Sequence, residues 1–508
     1  MNDEQRPDPS NVGIGPGTGT ATPATAEGSY GWHQRIGLVT GLGLLLFALI
    51  ADPILGLSPA ASDVALLALS MAILWVTEAL PIPATALLPL VMLPSMGVTA
   101  GKDAMKVAAA PYADPIIFLF MGGFMLSLAM ERWNLHRRLA LHIISAVGTR
   151  PRSLMLGFLL SSAFLSMWVS NSATAMMLLP IGISVYKLLQ EHHGQRSAEF
   201  GAALVLAIAY GANIGGMGTL IGTPPNAILK GLMESNHGIE ISFAQWMLFG
   251  VPLVIVAIPL THLILTRVSF RVNNDEAPGV REGLDTEIAG LGRMKWPEYA
   301  VSGAFALAVV LWISREAWKA RVPAVTDEVI AMGAALLLFI IPVDLKRGVF
   351  VLDWHCLKKF PWDVLVLFGG GLSLAAAFKE TKLAESMAGA MQGMEGWPGL
   401  GIVFLVVGVM IIATALTSNT ATTAAFVPVI ASLAVGINQP ILLLTVPVAV
   451  AASADFALPV GTPPNAIAYG SGLVSLPRMV RAGIWVNLLF AILIPLMMWT
   501  VGRWAFGV

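Results

Sequence analysis

Two short polar blocks recur in this chain, and each carries oxygen-bearing side chains of the kind that bind small cations. The first block, Ser170 to Thr174, reads Ser-Asn-Ser-Ala-Thr, and the second, Ser418 to Thr422, reads Ser-Asn-Thr-Ala-Thr. Ser166 precedes the first block and Thr414 the second, each four residues upstream and therefore on the same face of a helix. Hydroxyl oxygens, an amide oxygen and freed backbone carbonyls form a hard-oxygen cage suited to a small cation.

A second pair of blocks reads Gly-Thr-Pro-Pro-Asn, at 222–226 and again at 461–465. Two successive prolines remove two backbone donors and clash with the preceding turn, so each block is expected to break its helix. The break exposes carbonyls, which attract cations, and then the N–H groups of the next helix, which attract anions. Both pairs of blocks could instead have purely structural roles. The hydroxyls could hydrogen-bond to their own or a neighbouring helix, and the prolines could kink a helix without breaking it. Matched duplication argues against both alternatives.

These blocks belong to a repeat that runs through both halves of the chain. Leu119-Phe120, Gly122-Gly123, Ser170 and Pro180 all have a counterpart 248 residues later. The Thr-Pro-Pro-Asn blocks are offset by 239 residues. Chance agreement in apolar sequence would not keep one offset through a rare Ser-Asn pair.

The composition requires a membrane. Of 508 residues, 56% are hydrophobic and 12% charged, whereas a soluble domain has about 25% charged residues. The net charge of -1 argues against a nucleic-acid partner. The single cysteine, Cys356, can form neither an internal disulfide nor a cysteine metal cluster, and we interpret it as an inert loop thiol. Residues 1–35 lack an apolar run and are predicted to be a disordered cytoplasmic tail.

The fold class predicted is an all-α polytopic membrane protein with about 11 transmembrane helices, since a span needs about 20 apolar residues. The predicted spans are 36–57, 63–80, 82–98, 113–145, 200–236, 242–270, 298–318, 326–345, 361–383, 438–470 and 479–507. Of these, 200–236 and 438–470 are the predicted broken helices. Two further stretches, 152–187 and 398–434, are too long for one span and polar at the centre, which predicts re-entrant hairpins.

The halves are predicted to be inverted repeats, 36–270 and 298–508, joined by a cytoplasmic linker at 271–297. Five spans separate the two hairpins, so the hairpins should open to opposite sides of the membrane. The excess of Lys and Arg on one side places the N-terminus in the cytoplasm of a multi-pass cell (inner) membrane protein. Lys106 and Lys230 are assigned to the outer side.

The expected site lacks basic residues. The sequence has no Lys, Arg or His at 153–186, 197–229 or 383–477. Because burying a carboxylate without a counter-charge is prohibitive, an anion bound there would need co-bound cations. Matched interruptions in two apolar halves indicate the binding site of a secondary transporter. Asp455, in the second break, could carry a proton, tune a cation site or bond the backbone at the break.

Other classes of protein fit less well. A membrane-embedded enzyme would need an intramembrane acid–base or Ser–His constellation, and the eight histidines lie away from the motifs. A passive channel would not need two occluding hairpins. We therefore predict that the chain is not an enzyme and has no cofactor other than the co-transported ion.

The Ser-Asn-Thr type tips, the Thr-Pro-Pro-Asn breaks and the Gly-Gly segments resemble the divalent anion/sodium symporter family of dicarboxylate and citrate transporters, over roughly 36–508. The resemblance implies sodium-coupled uptake of C4-dicarboxylates such as succinate, malate and fumarate, by a homodimer with an elevator mechanism. A sodium-independent dicarboxylate exchanger, a citrate carrier and a sulfate carrier remain as alternatives. Ser172 stands where the family usually has Thr, which bears on substrate preference.

The resemblance also implies site residues. The first sodium site would comprise Ser166, Ser170, Asn171 and Gly222, and the second would comprise Thr414, Thr417, Asn419 and Gly461. The substrate carboxylates would meet Ser170, Asn171, Ser172, Ser418, Asn419 and Thr420, with Thr223, Thr462 and Pro463 close by.

Overall fold

A computed structural model of the chain describes residues 31–50, 53–54, 56–99, 103–193, 197–275, 279–390, 398–415 and 417–508. Within these residues the chain is helical apart from one short antiparallel β-hairpin. Of the predicted tail, residues 1–30 lie outside the described residues. The last positions of that tail are helical instead, because the side chain of Gln34 accepts from the Gly31 amide at 2.9 Å and stabilises the first turn.

The helices of the first half follow in chain order. They are α1 (Trp32–Ile50), α2 (Pro59–Val76), α3 (Ile82–Thr85), α4 (Leu88–Ser95), α5 (Ala104–Ala109), α6 (Pro115–Arg132), α7 (Leu135–Val147), α8 (Pro151–Ser166), α9 (Asn171–His193), α10 (Ala198–Gly216), α11 (Pro224–His237) and α12 (Phe243–Leu263). A π-helical turn, Ile264–Ser269, extends α12.

The linker and the second half contain the remaining elements. They are α13 (Val280–Gly290), α14 (Trp296–Trp318), α15 (Asp327–Ile340), β1 (Pro342–Asp344), β2 (Val349–Phe350), α16 (Trp362–Glu380), α17 (Leu383–Ala390), α18 (Gly399–Thr414), α19 (Asn419–Gly436), α20 (Ile441–Ala452), α21 (Pro463–Gly470), α22 (Leu476–Met497) and α23 (Arg503–Phe506). The predicted linker therefore holds a helix, α13, which packs against α7.

Ten helical stretches among the described residues are long and apolar enough to cross a membrane. They include α9 and α19, the second arms of the two predicted hairpins, while α18 and α20 are shorter apolar helices. The all-α, multi-pass fold is thereby confirmed. The division into 11 spans plus two re-entrant hairpins stays a prediction.

Two predicted spans were wrong as single helices: 82–98, which holds α3 and α4, and 113–145. The stretch 113–145 is two helices, α6 and α7, because Asn134 adopts the left-handed conformation (φ 54°) between them. Asn tolerates this conformation better than most residues since its short polar side chain bonds locally. Arg132 at the end of α6 forms an ion pair of 2.7 Å with Asp353.

The two halves have matching element boundaries. Helices α8 and α9 begin at Pro151 and Asn171, and α18 and α19 begin 248 residues later. The half-helices α11 and α21 begin at the first proline of each Thr-Pro-Pro-Asn block, 239 residues apart. Proline suits this first helical position because its missing N–H would be unpaired there anyway. Both predicted helix breaks are confirmed.

Helices α10 and α20 lie at the centre of the fold, since nearly all of their residues are buried. Each ends at a break, at residues 217–223 and 453–462, before the half-helix that follows. Helix α12 covers the first break and α22 covers the second. Gly250 and Gly483 permit this close packing, because an added Cβ would lie 2.7 Å from the Met217 carbonyl oxygen and 2.2 Å from that of Phe456.

Candidate functional site

The two hairpin turns place one hydroxyl and one amide side by side in each half. The Ser166 hydroxyl donates to Asn171 Oδ1 at 2.6 Å, and the Thr414 hydroxyl lies 2.7 Å from Asn419 Oδ1. Ser166 and Thr414 are fully buried, whereas the two asparagines are half-buried. Each pair joins the last turn of one helix to the first residue of the next, so the pair fixes the geometry of the tip.

Each break is closed by the asparagine of its Thr-Pro-Pro-Asn block. Asn226 Nδ2 donates to the carbonyl oxygens of Gly216 and Thr219 at 3.1 and 2.8 Å. Asn465 Nδ2 donates to those of Asp455 and Leu458 at 3.1 and 3.0 Å. These bonds join the start of each half-helix to carbonyl groups at the beginning and in the middle of the break before it. The sequence-based site omitted both asparagines, although their repetition in the two motifs was a signal that could have identified them.

The first break meets the first tip. An ideal Cβ built on Gly216 would lie 2.8 Å from Asn171 Oδ1 and 3.2 Å from the Gly222 carbonyl oxygen. The Thr219 hydroxyl donates to the Met167 carbonyl at 2.5 Å and holds the break against the tip. Asn171 and Gly222, two of the predicted ligands of the first sodium site, therefore face the same small space.

The second break meets the second tip in a similar way. The Thr414 hydroxyl, besides its contact with Asn419, lies 2.6 Å from the carbonyl oxygen of Ala452, the last residue of α20. Thr417 is oriented differently, since its hydroxyl donates to the Ala413 carbonyl at 2.9 Å and bonds the Thr422 hydroxyl. The structure thus groups Thr414 and Asn419 but directs the Thr417 hydroxyl back into its own hairpin.

The remaining predicted site residues lie at helix N-termini. Ser170 Oγ accepts from the Ala173 amide at 3.3 Å, and Thr462 Oγ1 accepts from the Asn465 amide at 3.3 Å. Ser172, Ser418 and Thr420 are half-buried at the tips, Thr223 is buried, and Pro463 is exposed at the start of α21. The positive ends of four helix dipoles, those of α9, α11, α19 and α21, are therefore associated with these residues.

The two halves contact each other at this place. Asn213 on α10 donates to Thr462 Oγ1 at 3.0 Å and lies 3.4 Å from Asn465 Oδ1. The hydroxyl of Tyr210, one helical turn earlier, donates to the Phe456 carbonyl at 2.8 Å. In addition, α21 packs against α9, and α11 packs against α19. The breaks and the tips of both halves thus belong to one continuous assembly.

A cavity of about 590 Å³ opens beside the first tip. Its wall includes Ala173 on α9, adjacent to Ser172, and the basic residues Arg132, Lys358 and Lys359. Although partial burial opposes it, the Arg132 guanidinium next to Asp353 holds the pKa of that loop carboxyl below its ordinary value. Cys356 lies in the same wall, 3.6 Å from Arg132 Nη1.

The charge count treated Lys230 as an exposed residue on the outer side. In the structure Lys230 is buried. Its Nζ lies 2.7 Å from Glu328 Oε1 on α15 and 3.1 Å from Glu234 Oε2 on its own helix. The positive charge on α11 is therefore used in an internal ion pair. Among the described residues, no group of three or more His, Cys, Asp or Glu could hold a metal ion.

Known proteins resemble the chain in sequence and in fold. Sodium-dependent dicarboxylate transporter SdcS of Staphylococcus saprophyticus is 43% identical over 481 residues, which is 93% of this chain and 92% of the relative. SdcS of Staphylococcus aureus strain USA300 is 42% identical over 478 residues, 92% and 91% of the two chains. The crystal structure of the Alcanivorax borkumensis YdaH transporter, described as having an unusual topology, matches with a TM-score of 0.56 at 14% identity. It covers 87% of this chain and 98% of that one, and at this identity it supports the fold alone.

A family model named sodium:sulfate symporter transmembrane region matches residues 33–507, nearly the whole described chain. This range includes both tips, both breaks and every helix, apart from Trp32, the first residue of α1. The resemblance drawn from the motifs is confirmed. The chain therefore belongs to the sodium:sulfate symporter family of membrane transporters.

Proposed function

We propose that the chain is a secondary transporter that couples the uptake of C4-dicarboxylates, such as succinate, malate and fumarate, to sodium ions. The observation that carries the proposal is the matched pair of hydroxyl–amide contacts, Ser166 with Asn171 and Thr414 with Asn419. Each places two neutral oxygens at the end of a broken or re-entrant segment, which is where transporters of this kind bind their ions. The relatives named sodium-dependent dicarboxylate transporters support the same reading.

The charges explain why sodium would be required. A C4-dicarboxylate carries two negative charges, and the segments that form the tips and breaks contain no Lys, Arg or His. Helix N-termini provide only partial positive charge, each favouring an anion by about 0.3–1 kcal/mol. Sodium ions held by the oxygen atoms of each tip supply the missing charge. The first site would use Ser166, Ser170, Asn171 and Gly222, and the second Thr414, Thr417, Asn419 and Gly461, with Thr417 contributing a backbone oxygen since its hydroxyl is engaged.

The route to this site runs through the cavity beside the first tip. Its wall holds Arg132, Lys358 and Lys359 against one acid, Glu131, and this excess of positive charge attracts dianions. Ala173 in the same wall adjoins Ser172, a proposed substrate contact. The substrate would bind between the two tips, near Ser170, Ser418 and Thr420, with Thr223, Thr462 and Pro463 at the starts of the half-helices. In our proposal the two repeats are inverted and the hairpins are re-entrant. The protein is a homodimer in the cell membrane with a cytoplasmic N-terminus. The domain that carries the tips and breaks moves across the membrane by an elevator mechanism.

Uptake into proteoliposomes tests this function. Purified protein is reconstituted, and uptake of radiolabelled succinate is measured with an inward sodium gradient and with an equal potassium gradient. We expect accumulation with sodium alone. Equal uptake with potassium, accelerated by succinate inside the vesicle, would favour a dicarboxylate exchanger. Sulfate and citrate added in excess report whether the substrate is one of those anions instead, since only the true substrate class competes.

A further inference from the structure

Asp455 and Gly216 occupy the same position in the two halves. Each lies six residues before the glycine of its Thr-Pro-Pro-Asn block. The carbonyl of each accepts a hydrogen bond of 3.1 Å from the asparagine of that block, Asn226 in the first half and Asn465 in the second. The two carbonyls are therefore held by equivalent bonds, although Gly216 ends α10 while Asp455 lies three residues beyond the end of α20.

That side chain faces the proposed cation space. In the first half, an added Cβ on Gly216 would lie between Asn171 Oδ1, at 2.8 Å, and the Gly222 carbonyl oxygen, at 3.2 Å. In the second half the position carries a carboxylate, and Asp455 Oδ2 lies only 1.2 Å from where a Cβ on Gly461 would be. The carboxylate thus packs directly against Gly461, a proposed ligand of the second site.

The carboxylate is fully buried, and one of its oxygens is unpaired. Asp455 Oδ1 accepts from the Ala457 amide at 3.3 Å, and the Leu458 amide also faces the group. Oδ2 has no hydrogen-bond partner in the part of the chain that the structure describes. No described Lys, Arg or His forms an ion pair with Asp455. A buried carboxylate in a protein is paired, binds a metal ion or is neutralised by a proton, so the unpaired Oδ2 is a position for a cation or a proton.

We infer that Asp455 is a direct ligand of the second cation site, which therefore carries one negative charge that the first site lacks. The inference rests on the proposed function and adds an asymmetry to it. Because the Asp455 carboxylate would balance the charge of the bound ion, the second site would bind a monovalent hard cation such as sodium before the substrate arrives. The first site, built from neutral oxygens, would depend on the dianion for its charge balance.

Sodium binding without dicarboxylate tests the inference. Binding of radioactive sodium to the detergent-purified full chain is measured by scintillation proximity for wild type, Asp455→Asn and Asp455→Gly. The glycine variant restores the residue found at position 216. We expect wild type to bind one ion per chain with the higher affinity, and both variants to need at least tenfold more sodium for half-saturation. The matched control is Thr445→Val, which alters a buried uncharged side chain of α20 whose hydroxyl donates to the Ile441 carbonyl of its own helix and should shift half-saturation less than twofold.

Folding and function are separated by two further readings. Succinate binding should return in both Asp455 variants at high sodium, which a misfolded protein would not show. Unchanged sodium affinity in the Asp455 variants, or a wild type that binds no sodium until succinate is added, would overturn the inference. A wild type whose succinate uptake ignores sodium would instead overturn the proposed function.

Discussion

The hydroxyl of Ser166 lies 2.6 Å from the amide oxygen of Asn171, across the turn between α8 and α9. The same contact, at 2.7 Å, joins Thr414 to Asn419 in the second half. Both contacts put two oxygen atoms in a buried or half-buried position beside a helix break. In our proposal each asparagine serves a cation through its oxygen while the N-terminus of its helix faces an anion.

Replacing either asparagine with Ala should abolish transport. Each variant removes one proposed cation ligand, and Asn171→Ala also deprives the buried Ser166 hydroxyl of its amide partner, whereas Thr414 keeps the Ala452 carbonyl. We expect sodium-driven succinate uptake to fall at least a hundredfold in Asn171→Ala and in Asn419→Ala, at normal yield of folded protein. The control is Asn438→Gly, which alters an asparagine of left-handed conformation (φ 55°) just after α19, away from the tip, and should retain uptake because glycine adopts that conformation freely. Near-normal uptake by both tip variants would contradict the assignment.

The close packing of α12 and α22 on the two breaks predicts that Gly250→Ala and Gly483→Ala destabilise the protein. A Cβ at either position would lie far inside the contact distance of a backbone carbonyl of the break. Overpacking of this kind costs about 1–3 kcal/mol. Thermal unfolding in detergent measures the effect. Gly303→Ala on α14, where an added Cβ meets no atom within 4 Å, should leave the unfolding temperature unchanged or raise it, and an equal loss in all three variants would refute the packing argument.

The buried ion pair of Lys230 with Glu328 predicts a charge-specific loss of stability. Lys230→Met leaves the Glu328 carboxylate uncompensated in a buried place, and breaking such a pair costs roughly 3–5 kcal/mol. The double variant Lys230→Met/Glu328→Met should recover most of that loss, because the other partner of Lys230, Glu234, is 42% exposed and stays hydrated. Thermal unfolding of the single and double variants checks both expectations.

The surface pair of Lys319 with Glu316 provides a matched control. Its side chains are 45% and 48% exposed, and such pairs contribute about 0–1 kcal/mol. Lys319→Met should therefore hardly change the unfolding temperature. A double variant at 230 and 328 that is no more stable than Lys230→Met alone would show that shape, and not charge, is what the pair provides.

The two tips should be protected together by ligands. In a Cys356→Ser background, Ser172→Cys and Thr420→Cys are labelled with a membrane-impermeant maleimide from each side of reconstituted vesicles. The background substitution is needed because Cys356 lies in the wall of the cavity that reaches the first tip. We expect sodium and succinate together to reduce labelling at both positions. Labelling of both from one side only, unaffected by ligand, would mean that the tips do not share an alternating-access site.

The sequence predicted those features that follow from local chemistry. Tandem prolines must interrupt a helix, so the breaks before α11 and α21 could be located without a structure. The repeat offset likewise placed the second tip once the first was found. The break of α6 from α7 at Asn134 was missed, although the polar residues around it, from Glu131 to Arg138, were a signal in the sequence.

Contacts between distant segments could not be predicted. Nothing near Asn213 indicates that it bonds Thr462 across the two halves. Lys230 was assigned to the outer side because counting charges treats every lysine as exposed, whereas its partner Glu328 lies 98 residues away on another helix. The motif also could not predict that the Thr417 hydroxyl points towards Ala413 and Thr422, because a sequence identifies a residue but not its rotamer.

Reciprocal coupling of sodium and succinate tests the central claim most directly. Succinate binding to detergent-purified protein is measured by calorimetry at increasing sodium, and sodium binding is measured with and without succinate. If sodium supplies the counter-charge, each ligand raises the affinity for the other by the same factor, because linkage is reciprocal. We expect the affinity to rise at least tenfold, which corresponds to about 1.4 kcal/mol of coupling free energy. Potassium should not replace sodium. Succinate affinity that is the same in sodium and in potassium would contradict the account.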